Sequence, residues 1–84
     1  MDSIQVTPTT ASRINGVDFK NLGFGTEFSD HMLVCDYKNG EWGAPEIIPY
    51  QAISLMPSSK IFHYGQSIFE GMKAYKDNDN KTWL

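Results

Sequence analysis

The sequence predicts an α+β fold dominated by antiparallel pairing, and three observations carry that expectation. DHMLVCDY, residues 30–37, is rich in strand-forming residues and runs into Asn39-Gly40, a pair that tolerates the positive φ angles of a two-residue hairpin turn. MKAYK, then DNDN, then KTWL reads as a second hairpin, with Asp77, Asn78, Asp79 and Asn80 supplying the turn chemistry. Between them lies IFHYGQSIFEG, where Ile61, Gly65 and Ile68 follow helical spacing, as do Phe62 and Phe69. Gly65 and Gly71 bracket its centre and confine any helix to one or two turns.

In chain order, residues 1–12 are rich in Ser and Thr, contain Pro8 and show no apolar period. They read as a leading arm that is ordered only if it docks on something. The sequence turns globular from Ile14. GFGTEF, residues 23–28, sets Phe24 between two glycines whose backbone freedom lets a ring project from a turn. In the strand that follows, Met32 and Val34 fall on one face and Leu33, Cys35 and Tyr37 on the other, so cover is expected on both sides. The return segment EWGAPEIIPYQ carries Pro45 and Pro49, which lack the N–H of a central strand, and is therefore expected as an edge strand or an extended connection. PSSK, residues 57–60, offers a turn or cap ahead of the helix. Leu84 comes two or three residues into the second returning strand, so the piece is expected to be an incomplete domain.

Composition bounds the function. At 84 residues, with 40% hydrophobic, 13% aromatic and 20% charged, the chain is at most one small domain and is too apolar for intrinsic disorder. The net charge of -3 is spread without a basic block to neutralise phosphates, so nucleic acid is not an expected partner. No apolar run approaches the roughly 20 residues that cross a bilayer. The amino terminus lacks the basic start and apolar centre of a secretory signal. One cysteine, Cys35, excludes an intrachain disulfide and favours a reducing compartment, the cytoplasm; inside MLVCDY it reads as a small core residue rather than a nucleophile.

The residues do not assemble a catalytic motif of their own. His31, His63, Cys35, Asp30 and Asp36 show no zinc spacing, and no metal is expected. There is no G-x-S-x-G elbow, and FGTEFS and YGQS lack the pattern of a phosphate loop. Lys73 is a candidate nucleophile only if burial or neighbouring cations lower its pKa; a strand lysine with its ammonium in water is the plainer reading. Phe24, Tyr64 and Phe69 all flank glycines. Core packing is the ordinary role of such rings, and a ring at a loop edge is also how apolar substrate walls are built.

HYGQSIFEGMKAYK, residues 63–76, closely resembles the N-terminal segment of the branched-chain amino acid aminotransferases, pyridoxal phosphate enzymes of fold type IV. FGTEFSDHMLVCDYKNGEWGAPEI resembles the family's upstream motif, so the likeness covers roughly residues 20–84. It looks closer to the eukaryotic-type subgroup than to the bacterial one. On this resemblance, residues 1–19 are an arm and 20–84 part of the small N-terminal domain. The lysine that bonds the cofactor and most groups that hold it lie further along such a chain, so no catalytic and no cofactor-binding residue is expected here. Phe24, Tyr64 and Phe69 match rings around the branched aliphatic side chain, and Gly71 matches a glycine close to the substrate. Lys73 takes a place where some relatives have an arginine near the acidic co-substrate, a contact lysine cannot reproduce in two-pronged form. The resemblance implies transfer of the amino group of leucine, isoleucine or valine to 2-oxoglutarate, in a homodimer. A sibling fold type IV enzyme acting on D-amino acids or aminodeoxychorismate, or a non-catalytic binding or oligomerisation module, are the alternatives.

Overall fold

The structure is a computed structural model that describes residues 4–84. The chain forms two units, Met1–Ile53 and Ser54–Leu84.

The first unit is built on a three-stranded sheet in the order β1 (Gln5–Val6), β5 (Glu46–Pro49), β2 (His31–Val34). β2 and β5 run antiparallel with His31 opposite Pro49 and Val34 opposite Glu46, while β1 lies parallel on the other side, Gln5 opposite Glu46 and Val6 opposite Ile47. β5 is thus the central strand, which corrects the expectation of an edge or a mere connection. The reason lies in which way each proline nitrogen faces. Tyr50 donates its N–H to the Asp30 carbonyl at 2.9 Å, which makes Ile48 and Glu46 the residues that bond to β2. Ile47 faces β1 and accepts from the Thr7 N–H at 2.8 Å. Pro49 shares the parity of Ile47, so its missing N–H falls on the β1 side, past the last β1 pair. β5 therefore offers no donor to prolong that ladder beyond Ile47, and Pro49 ends it without weakening β2–β5.

Beyond β2 the chain continues into a hairpin of β3 (Tyr37–Lys38) and β4 (Glu41–Trp42), closed by Asn39 at φ 54° and Gly40 at φ 82°, the two positive angles the dipeptide predicted. The Gly43 N–H bonds the Asp36 carbonyl at 2.7 Å. Between that pair and Val34–Glu46 the descending side holds one residue more than the ascending side, a bulge around Ala44-Pro45 that separates the two ladders. Cys35 lies there, half-buried, its thiol donating to the Gly43 carbonyl at 3.3 Å. Met32 and Val34 are half-buried and Leu33 is 57% exposed; none of the described residues is fully buried. Cover on both faces of β2, as the sequence predicts, is therefore not supplied by the described residues.

Within the predicted arm, Gln5 and Val6 dock as β1. Residues further along are tied down by Asp30 at the edge of β2. Its carboxylate accepts from the Ser12 hydroxyl and from the Arg13 N–H at 2.9 Å, with Arg13 Nε at 3.6 Å. Arg13 Nη2 donates to the Phe28 and Ser29 carbonyls at 3.1 and 2.7 Å, and the Thr9 N–H donates to His31 Nε2 at 3.0 Å. A single 3-10 turn, Ile14–Gly16, follows.

In the second unit, α1 (Lys60–Tyr64) is one turn. Ser59 occupies its N-cap position without a side-chain bond, and Gly65 at φ 60° ends it, its N–H and that of Gln66 converging on the Lys60 carbonyl. β6 (Tyr75–Lys76) and β7 (Thr82–Trp83) pair antiparallel, Tyr75 opposite Trp83. Asp77 organises their turn, accepting from the N–H groups of Asp79 and Lys81 and from the Trp83 indole N–H, each at 2.8 Å.

Two outcomes follow from these arrangements. Ile48→Pro removes a ladder donor toward β2 and is expected to cost roughly 1–3 kcal/mol, with loss of amide-exchange protection in β2 and β5, whereas Pro49→Ala leaves that protection intact. The Trp83 indole bond, then those from Lys81 and Asp79, hold the Asp77 carboxyl below its usual value; the Ser12 hydroxyl, then the Arg13 N–H and charge, do so at Asp30. Groups lowered on folding contribute stability that is present above the unfolded value, near pH 4, and lost as pH falls through the lowered one. The Trp83 indole proton is therefore expected to stay protected on acidification to about pH 4 and to lose protection below, and Asp77→Asn to flatten that dependence.

Candidate functional site

The five residues that the resemblance singles out stand on loops and element ends, and they are divided between the units: Phe24 in the first, Tyr64, Phe69, Gly71 and Lys73 in the second.

Phe24 opens a turn over residues 24–26. Its flanking glycines have separate reasons to be glycine. A Cβ at Gly23 would collide with the Thr26 side chain, and Gly25 sits at φ 71°. The ring between them is fully exposed, at 104%. In the same unit lies a cleft of about 350 Å³ lined chiefly by Ile14, Val17, Phe19, Leu22 and Phe28, with Asp30 at its polar margin. Phe28 stacks on Tyr50 with ring centroids 5.5 Å apart, and Arg13 lies 5.5 Å from the Tyr50 ring, so the clamp that holds the arm also fixes one wall of the cleft. Phe24 is not among the lining residues. Sequence reasoning passed over this cleft; the signal was the apolar set Ile14, Val17, Phe19 and Leu22 in a stretch too short of regular period to bury itself.

In the second unit Tyr64 is the last residue of α1 and 77% exposed. The left-handed Gly65 turns the chain out of the helix, the Ser67 N–H bonds back to the Gly65 carbonyl at 2.9 Å, and residues 66–74 then run without regular secondary structure. That run presents Phe69 at 94% exposure together with Ile68 and Met72. A Cβ at Gly71 would meet nothing within 4 Å. Lys73 precedes β6 and its ammonium lies 5.4 Å from the Tyr75 ring centroid, a cation–π contact at an exposed position. Glu70 is not paired with it: the ion pair among the described residues is Arg13–Asp30. Phe69, Gly71 and Lys73 thus share one short irregular segment just beyond the helix that Tyr64 ends, and all four residues are open to a ligand or to further protein. Such an arrangement can exclude water from an aliphatic group and receive a carboxylate. It supplies neither an activated nucleophile nor an oriented acid–base pair.

No family model matches the chain. Individual proteins do. Over 68 residues it is 50% identical to branched-chain-amino-acid transaminase 1 of Bacillus subtilis, a match covering 80% of this chain and 19% of that protein. Over 64 residues it is 54% identical to the cytosolic branched-chain-amino-acid aminotransferase of Saccharomyces cerevisiae, covering 75% and 17%. The mitochondrial branched-chain-amino-acid aminotransferase of Schizosaccharomyces pombe is 39% identical over 79 residues, 92% of this chain and 18% of that protein. The last of these matches, over 92% of the chain, necessarily takes in the whole stretch from Phe24 to Lys73. The bacterial and fungal identities, 50% and 54%, do not separate the subgroups. The chain spans less than a fifth of the length of these relatives. Over that segment it is homologous to the branched-chain-amino-acid aminotransferases.

Proposed function

We propose that this chain supplies part of the substrate-binding wall of a branched-chain amino acid aminotransferase of fold type IV, residues 20–84 forming part of the small N-terminal domain behind an arm of residues 1–19. The reaction is transfer of the amino group of leucine, isoleucine or valine to 2-oxoglutarate. The observation that carries the reading is identity of about half over most of the chain to enzymes with that name. The exposed rings add physical sense to it. Phe24, Tyr64 and Phe69 in this reading lie against the branched side chain, where each methylene taken out of water contributes about 0.8 kcal/mol. Gly71, with open space around it, lets the substrate approach the backbone. Lys73 offers a single positive charge to the carboxylate of the co-substrate.

Pyridoxal phosphate is the cofactor this reaction class uses, as an electron sink for the bond changes at the substrate's amino carbon. The described residues do not by themselves fit it. All six lysines, Lys20, Lys38, Lys60, Lys73, Lys76 and Lys81, are exposed, and a lysine that bonds the cofactor needs burial or adjacent cations to lose its proton. The apolar cleft has no lysine or arginine in its lining, and the polar one beside the β3–β4 hairpin sets Lys38 among Asp36, Glu41 and Glu46, a poor environment for a phosphate. In this reading cofactor and lysine belong to sequence outside these 84 residues, and Phe24 through Lys73 act on the substrate alone, binding it, orienting it and excluding water.

The enzyme is read as a homodimer on the resemblance. No described helix is long and apolar enough to cross a membrane. The cytoplasm is the proposed compartment, supported by the lone Cys35 and by the cytosolic yeast relative; the mitochondrial relative from Schizosaccharomyces pombe gives the family a second address, which fractionation of cells expressing the protein resolves.

Two experiments test the reading. In a full-length enzyme carrying this segment, Tyr64→Ala and Phe69→Ala are each expected to lower kcat/KM for leucine by roughly 10–200-fold while leaving cofactor absorbance unchanged; a loss equal for leucine and 2-oxoglutarate would instead point to a merely structural role. The isolated 84 residues are expected to bind no pyridoxal phosphate by absorbance and to carry out no transamination, and activity toward D-alanine or aminodeoxychorismate without leucine in the longer protein would transfer the segment to a sibling enzyme.

A further inference from the structure

The sequence contains Asn-Gly twice, at Asn15-Gly16 and at Asn39-Gly40, and the two are chemically equivalent as dipeptides. In both, the glycine amide nitrogen follows an asparagine side chain with no Cβ to hinder approach. The structure separates them. Gly16 donates its N–H to the Arg13 carbonyl at 3.0 Å, and the Val17 N–H bonds Ile14 at 3.2 Å. Arg13 is itself held by the Asp30 carboxylate and by the Phe28 and Ser29 carbonyls, so the acceptor of the Gly16 N–H sits on a residue anchored by the clamp on the arm. Gly40 stands at the tip of the β3–β4 hairpin, where its N–H has no partner among the described residues and open space surrounds it. That hairpin is held by the Tyr37–Trp42 and Lys38–Glu41 pairs and the Asp36–Gly43 bond beyond them, with both strands exposed, and such a ribbon opens at little cost.

We propose that Asn39 is a site of spontaneous covalent modification, by cyclisation onto Gly40, and that Asn15 is protected from the same reaction by its fold. When the turn opens, the Gly40 nitrogen gives up its proton to solvent base and attacks the Asn39 side-chain carbonyl carbon. A carbon–nitrogen bond forms, the bond to the amide nitrogen breaks, and ammonia leaves with a proton from solvent, producing a five-membered succinimide. Water then opens either ring carbonyl to give aspartate or isoaspartate. One water is consumed and one ammonia released, with no oxidation or reduction.

The product changes the hairpin in two ways. Either form places a new negative charge on a turn whose neighbouring cleft is already lined by Asp36, Glu41 and Glu46, with Lys38 as its cation. Isoaspartate also adds a methylene to the backbone of a two-residue turn that requires positive φ at both positions, so the strands lose register and the edge-to-face contact of Tyr37 on Trp42, with centroids 5.1 Å apart, comes undone.

The test is a time course of the 84-residue chain at mildly alkaline pH, with peptide mapping to follow conversion at both asparagines, run in native buffer and in urea. Asn39 is expected to convert several-fold faster than Asn15 in native buffer and at a similar rate in urea. Arg13→Ala is expected to narrow the native difference by releasing the Asn15 turn. Equal native rates, faster conversion at Asn15, or a preference for Asn39 that survives unchanged in urea would each overturn the proposal.

Discussion

The first unit depends on β5 having hydrogen-bonding groups free on both of its edges. A strand that carries two prolines is a poor candidate for the centre of a sheet, yet Glu46, Ile47 and Ile48 lie between Pro45 and Pro49 and keep their own donors. Alternation then assigns Ile48 and Glu46 to β2 and Ile47 to β1. Because Pro49 faces the side on which β1 has already ended, the defect costs no bond. A shift of one residue would bring the proline nitrogen against β2 and put Met32 and Ile48 on opposite faces, which ties register and sidedness to the same constraint.

On this sheet the Asp30 carboxylate acts as the anchor for chain far away in sequence. Its acceptors take Ser12 and Arg13, and the arginine reaches on to Phe28, Ser29 and the Tyr50 ring. The charge-assisted contacts are exposed, so each contributes modestly. Together they hold a segment without regular structure, and the apolar cleft between Ile14 and Phe28 exists because that segment is held. In the second unit Asp77 does similar work on a smaller scale, one carboxylate receiving three donors and closing the β6–β7 turn.

The functional reading joins these local devices to surfaces they leave open. No described residue is fully buried, and the rings at Phe24, Tyr64 and Phe69 are among the most exposed apolar groups. Aromatic surface held out on glycine-flanked turns has a physical use when a substrate or further protein lies against it. The aminotransferases to which the chain is similar are several times longer than it.

Much of the fold was legible in particular residues. Asn39-Gly40 dictates its turn because those two residue types bear positive φ, Gly65 ends α1 for the same reason, and Asp77 in DNDN is the acceptor a tight turn needs. The likeness to the branched-chain-amino-acid aminotransferases was legible in HYGQSIFEGMKAYK and its upstream companion, and the identities over this segment agree with it. The position of β5 was not legible, because a proline's effect depends on which neighbour its nitrogen faces, and that is decided by pairing with Asp30–Tyr50 and Thr7–Ile47. Nor was the cleft, since its walls come from residues without period that only the Asp30–Arg13 clamp gathers. Sequence by itself determined turn types, the composition of the strands and the kinship, which are properties of adjacent residues. Tertiary structure alone decided strand order, the bulge at Ala44-Pro45 and the unequal settings of two identical Asn-Gly pairs, because each depends on hydrogen bonds between residues distant in the chain.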